Sequence, residues 1–343
     1  MSPAPVRWLD REPEEGARRL ALGFLDQAQA ARLRLHDAED AEALHDFRVG
    51  LRRLRSTLRS YRDLLAEGIG RKLAKRLEAL ADSTGDGRDA EVALVWLEAQ
   101  TDLPASARAG HRHLLEHLRG VRAWAYAEIL ERIERDFDAL DERLRARLSI
   151  YRTEIRLDEE PASGRLGDAA ADALIDLTGK LHDQLAAIQG PGDEAAAHRA
   201  RISAKRTRYL LEPFLDELAA GRAGIKKLKR LQELLGDLHD AHVLERTLTE
   251  AAEKAGADRA HRLFDLALEG APLPAVRAER RKNRESGIAE LGRRNRARRD
   301  ALYEEIQEGW LDARTARFTH QLVRVAEELR SAPIEEPAAT ATD

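Results

Sequence analysis

Two stretches of this chain space His, Arg and Lys in a way that suits anion binding. In the first, His45, Arg48, Arg52, Arg55 and Arg59 recur at three- and four-residue intervals, with Arg53 beside them. In the second, His198, Arg201, Lys205 and Arg208 do the same, with Arg206 beside them. On an α-helix this spacing forms one stripe. Residues 43–65 hold six arginines against Asp46 and Asp63, a local charge of +4, and no acid interrupts His198 to Arg208. Solvated helices normally place Glu four residues from Lys or Arg, which stabilises them. A stripe of like charges without such partners costs stability unless an anion rests on it. Arginine dominates both stripes, and its planar fork suits bidentate contacts with phosphate. The two histidines would add positive charge as pH falls through about 6.5.

The positioning elements follow from the apolar pattern. Leu44, Phe47, Leu51, Leu54, Leu58, Tyr61 and Leu65 form a packed face one residue out of phase with the cations. A cationic band beside an apolar band belongs at the rim of a core or in a cleft. The second stretch repeats the first at an offset of 153 residues: His45 aligns with His198, Leu58 with Leu211 and Tyr61 with Phe214. A second block follows at 154, aligning Lys72 and Lys75 with Lys226 and Lys229. Asp89 then falls opposite Asp240. Two blocks in the same order indicate duplication.

The 343 residues are 35 % charged and 4 % aromatic, and no sustained strand-like alternation occurs. The predicted fold is all-α. Helices are expected at about 13–36, 41–66, 70–81, 89–100, 105–125, 127–150, 167–189, 194–220, 223–235, 240–255, 258–270, 273–287 and 288–330. Asp158 to Gly164 reads as a linker between halves 10–157 and 165–330. The Pro/Ala/Thr-rich end, 331–343, reads as a disordered tail.

Without cysteine, disulfides, Cys-ligated metals and a Cys nucleophile are excluded. A net charge of −4 argues against a polyanion binder acting through its whole surface. No apolar run is long enough for a membrane span, and Met1 to Glu15 does not read as a secretory signal, so a cytoplasmic protein is expected. Leu-His-Asp occurs at His36, His45, His182 and His239. Its spacing does not fit the metal-dependent phosphohydrolases that use a His-Asp pair. His113 and His117 have metal-ligand spacing, but a solvated helix explains them more simply, and no metal or cofactor is expected. The runs Arg280–Lys282 and Arg293–Arg299 suggest nucleic-acid contact as an alternative, yet no aromatic platforms accompany them. A solvated face balanced by Glu304, Glu305 and Glu308 is the simpler reading.

The motif His45-x-x-Arg48-Val49-x-x-Arg52-Arg53-Leu54-Arg55, repeated as His198-x-x-Arg201-Ile202-x-x-Lys205-Arg206-x-Arg208-Tyr209, resembles that of the CHAD family, the conserved histidine α-helical domain. Lys229 to Asp240 resembles the family's following helix and loop, and the likeness extends over about residues 10–330. It implies two four-helix bundles related by a pseudo-twofold axis around a basic cleft or pore. It further implies non-catalytic binding of inorganic polyphosphate and association with polyphosphate granules. By this resemblance His45, Arg48, Arg52, Arg53, Arg55 and Arg59, with His198, Arg201, Lys205, Arg206 and Arg208, line the basic surface. Lys72, Lys75, Lys226 and Lys229 extend it. Ala200 and Thr207 replace bulkier apolar residues of the first copy, and Glu212 stands where Arg59 stood, which shortens the second stripe.

Overall fold

The structure, a computed structural model, describes residues 7–331 except 38–39, 41, 66–67, 86, 150–163, 220 and 282–283. The predicted linker at 158–163 and the tail beyond 331 lie outside the described residues. Those described form an all-helical protein without strands. The helices are α1 (Pro13–Arg34), α2 (Ala43–Ser60), α3 (Arg62–Leu65), α4 (Arg71–Ser83), α5 (Arg88–Glu98) and α6 (Arg108–Leu148). They continue as α7 (Leu166–Ala186), α8 (Glu194–Leu211), α9 (Gly221–Leu268), α10 (Leu273–Arg281), α11 (Arg284–Trp310) and α12 (Ala313–Ser331).

Three differences from the sequence reading have physical causes. The segments expected at 105–125 and 127–150 are one helix, α6, and those at 223–270 are one helix, α9. The breaks expected from sequence fall at Tyr126, at Gly236 and near Gly256, but neither glycine adopts positive φ, and each is tolerated within a helix. The long helix expected at 288–330 is instead split into α11 and α12 at Asp312, whose φ of 56° lies in the left-handed region. Aspartate enters that region more readily than most residues, and Gly309 in the last turn of α11 precedes the break by three residues. The helix expected at 41–66 stops at Ser60, and α3 follows.

The apolar face of α2 is buried as its pattern requires. Leu44, Phe47, Leu51 and Leu54 are almost fully covered, and Phe47 meets Phe137 of α6 edge-on at 5.0 Å between ring centres. Helix α2 packs against α1 and α4, while α8 packs against α7 and α9. The close α1–α2 approach needs Gly50, because a β-carbon there would lie 2.9 Å from the Ala28 nitrogen. One apolar core runs without interruption through both halves. The N-terminal segment stitches them together: Leu166 N–H donates to Arg11 O at 2.8 Å, and Gly167 N–H to Leu9 O at 3.0 Å. Glu217 accepts from the Trp8 and Leu9 amides at 2.7 and 3.1 Å. A second core joins α5 and the start of α6 to the middle of α9 and the start of α11, through Leu94, Leu97, Leu114, Leu244, Leu248, Ile288 and Leu291.

Candidate anion-binding site

Helices α2 and α8 pack against each other, so the two basic stretches meet. Arg52 lies within electrostatic reach of both Arg201 and Lys205, and Lys205 also feels Arg208. Arg206 faces Arg55 and Arg59. Among the described residues, Arg52, Arg201, Lys205 and Arg206 carry no ion pair and no side-chain hydrogen bond. The Nε atoms of Arg52 and Arg201 are sealed from solvent yet have no acceptor. Buried polar groups are nearly always bonded, so an orphan donor calls for a partner such as an ion or water.

The protonation equilibria record this crowding. Burial, then the charges of Arg201, Arg52 and Arg208, push the Lys205 ammonium down to about 7, with Asp240 opposing. Burial also lowers Arg201 and Arg206, each beside other guanidinium groups. His198 stacks obliquely on His239 at 4.8 Å between ring centres. Burial, followed by Arg201 and His198, brings His239 down to about 4. His198 is lowered as well, by burial and by Arg201 and Lys205. The expectation of a histidine response near pH 6.5 is therefore corrected for His198: both effects favour the neutral ring. Lys205 is the group poised near neutrality.

Other predicted site residues have carboxylate partners that come from different helices. Arg48 is buried, donates through Nε to Thr84 O at 2.5 Å and lies 3.7 Å from Glu91. Arg55 donates to Asp82 at 2.6 Å and also bonds Glu78, and Arg59 reaches Glu78 at 3.2 Å. Arg53 donates to Glu212 at 3.0 Å, and Arg208 lies 3.4 Å from the same carboxylate. The acids missing from the α2 stripe are thus supplied in part by α4, α5 and the turn after α8. His45 is exposed in the first turn of α2, without a bonded partner among the described residues. Lys75, Lys226 and Lys229 are exposed. Lys72 lines a separate cavity of about 540 Å³ between α4 and the end of α6, together with Arg76, Arg143 and Arg147.

Sequence reasoning left His239, Asp240 and Asp89 out of the site. Asp89 and Asp240 both act on Arg201. The signal was present, because the repeat aligns them. Burial raises Asp240, and Arg201 opposes that shift.

The basic run on α11 behaves differently. Arg294 pairs with Asp102 at 2.7 Å, Arg296 and Arg299 with Glu245 at 2.7 and 2.8 Å, and Arg298 with Asp237 at 3.6 Å. Arg293 pairs with Glu290. Its counterions are these residues, not the Glu304, Glu305 and Glu308 expected from sequence. No three metal-ligating side chains gather among the described residues, and no described helix is long and apolar enough to cross a membrane.

Comparison with known proteins agrees with the motif. The CHAD domain model matches residues 19–249, and the chain belongs to that family. The crystal structure of the CHAD domain from the plant Ricinus communis is similar, with 27 % identity and a TM-score of 0.57, covering 80 % of this chain and 96 % of that one. PptA from Streptomyces chartreusis shares the fold at 18 % identity and a TM-score of 0.55, covering 88 % and 99 %. No curated protein matches the sequence.

Proposed function

We propose that this protein binds inorganic polyphosphate without chemical turnover, in a basic cleft where the duplicated helices α2 and α8 meet. The observation that supports this best is the contrast between two equally basic regions. On α11 each arginine from Arg293 to Arg299 has a carboxylate partner. Where α2 meets α8, Arg52, Arg201 and Lys205 converge without an ion pair or side-chain hydrogen bond among the described residues, with orphaned Nε donors on the two arginines, and Arg206 stands by Arg55 and Arg59. Such a cluster is stabilised by a dense polyanion. Polyphosphate presents charge and no base edges, so backbone spacing and charge density suffice for recognition. Family membership supports the same ligand class and points to a cytoplasmic role at polyphosphate granules. The paired state of α11 weighs against the nucleic-acid alternative.

The test is titration calorimetry with polyphosphate of defined length at several salt concentrations. Binding through counterion release gives a log K that falls with log salt at roughly −0.7 per neutralised phosphate. Replacing Arg52 and Lys205 together by Ala should weaken binding and flatten that slope. Salt-independent binding, or binding undiminished in the double variant, would refute the reading, as would RNA that displaces polyphosphate more readily than the reverse.

A further inference from the structure

Glu212 stands where the repeat would place an arginine, since Arg59 is its counterpart 153 residues earlier. Its carboxylate is partly buried and gripped from both basic helices. Arg53 of α2 donates to one oxygen at 3.0 Å, and Arg208 of α8 lies 3.4 Å from the other. Both guanidinium groups are further fixed by aromatic faces: Arg208 lies 4.8 Å from the centre of Tyr209, and Arg53 5.9 Å from that of Phe24. One internal anion therefore occupies two cations. The neighbouring Arg52 and Lys205, one and three residues away along their helices, have no ion pair or side-chain hydrogen bond among the described residues, and Asp240 acts on Lys205 only from beyond contact distance. The border between paired and unpaired cations runs at Glu212.

We propose that Glu212 is a built-in stop that ends the polyanion track. The inference rests on the polyphosphate reading and adds a determinant of how much of the cleft a chain can use. A phosphate chain advancing past Lys205 would have to break two charge-assisted contacts and face a fixed carboxylate. It would gain less from Arg53 and Arg208 than from free cations, because the single Glu212 carboxylate already neutralises part of their combined charge. The ligand is confined to the section around Arg52, Arg201, Lys205 and Arg206. Short chains fill that section and ignore Glu212, whereas long chains are truncated in contact by it. In the first copy the corresponding residue is the cation Arg59, and the carboxylate there, Glu78, comes from α4 and not from the basic helix itself.

The experiment compares tripolyphosphate with long-chain polyphosphate on wild type, Glu212→Gln and Glu212→Ala, by calorimetry across a salt series. Removing the charge should free Arg53 and Arg208 for two more phosphates. Long chains should then bind about tenfold tighter, as expected for two added charge contacts. Their salt slope should steepen by roughly 1.4. Tripolyphosphate affinity should stay within about twofold, since no new contact reaches so short a ligand. On an Arg53→Gln/Arg208→Gln background the gain should vanish, an outcome that a merely structural carboxylate would not produce. Long-chain affinity and slope unchanged in both Glu212 variants would overturn the proposal. If the variants fail to fold, the wild type decides: its salt slope should be equal for medium and long chains, and a slope that grows with length overturns the stop. Wild type that binds neither probe would remove the polyphosphate reading itself. Salt-dependent wild-type binding without a Glu212 effect would remove only this inference.

Discussion

Lys205→Met should make the free protein more stable at neutral pH, although it removes a charged residue from the centre of the site. The Lys205 ammonium ordinarily titrates near 10.5 and here falls to about 7. The folded state therefore resists protonating it. Below pH 7 the full penalty is present, and it fades as pH rises towards 10.5, where both states are neutral. At about 1.4 kcal/mol per tenfold change in acidity, the penalty at pH 7 is about 4 kcal/mol. Partial rehydration of the amine makes this an upper figure. The charged groups facing it are Arg201 and Arg208 on α8 and Arg52 on α2, all unfavourable, with Asp240 on α9 offsetting them. Methionine keeps the aliphatic stem and its packing. Denaturant unfolding of both proteins between pH 6 and 10 measures the difference, which should be largest below pH 7 and shrink steadily above it. A variant no more stable than wild type at pH 7, or a gap that does not fall to below about 1 kcal/mol by pH 10, would refute the reasoning. The same linkage predicts proton uptake when a polyanion binds at pH 8, read as a dependence of binding enthalpy on buffer ionisation.

Three further outcomes are expected. His239 should titrate near 4 by NMR in the free protein, because burial and Arg201 disfavour its imidazolium, and polyanion binding should move that midpoint upward. Gly287→Ala should destabilise the fold by about 1–3 kcal/mol in thermal melts, since its new β-carbon would lie 2.5 Å from Ala107 O where α11 crosses the start of α6. Asn295→Ala should cost about 1 kcal/mol in thermal melts, because it loses the fully buried amide's bond to Ala241 O at 2.8 Å, partly offset by removing an Oδ1 that has no hydrogen-bond partner.

Local pattern revealed the helices and tertiary distance concealed the counterions. The stripe from Leu44 to Leu65 specified a buried face, and that face is buried. Alignment of the two copies picked out Arg52, Arg201 and Lys205, whose meeting depends on how α2 and α8 pack. What the stripe could not disclose is that Glu78 and Asp82 on α4, and Glu91 on α5, reach across to Arg55, Arg59 and Arg48. Charge counted along one helix says nothing about carboxylates brought in by its neighbours. The same blindness assigned the α11 run to Glu304, Glu305 and Glu308 instead of Asp102, Glu245 and Asp237 from outside α11. The turn at Asp312 escaped because aspartate carries no unique signal for positive φ, and Gly236 misled because a glycine in a long helix need not break it.

The second apolar core has a consequence for how the chain is made. Leu94, Leu97, Leu114 and Leu118 share their core with Leu244, Leu248, Ile288 and Leu291, which arrive from far along the sequence. On a ribosome adding about 5–20 residues per second, the greasy ends of α5 and α6 stay bare for roughly ten seconds or more after they emerge. The nascent first half is thus a natural client for chaperones that shield exposed leucines. A nonsense mutation that stops synthesis before α11 would release a polypeptide whose first half remains sticky, and aggregation would follow even though every residue of α2 and α8 had been made.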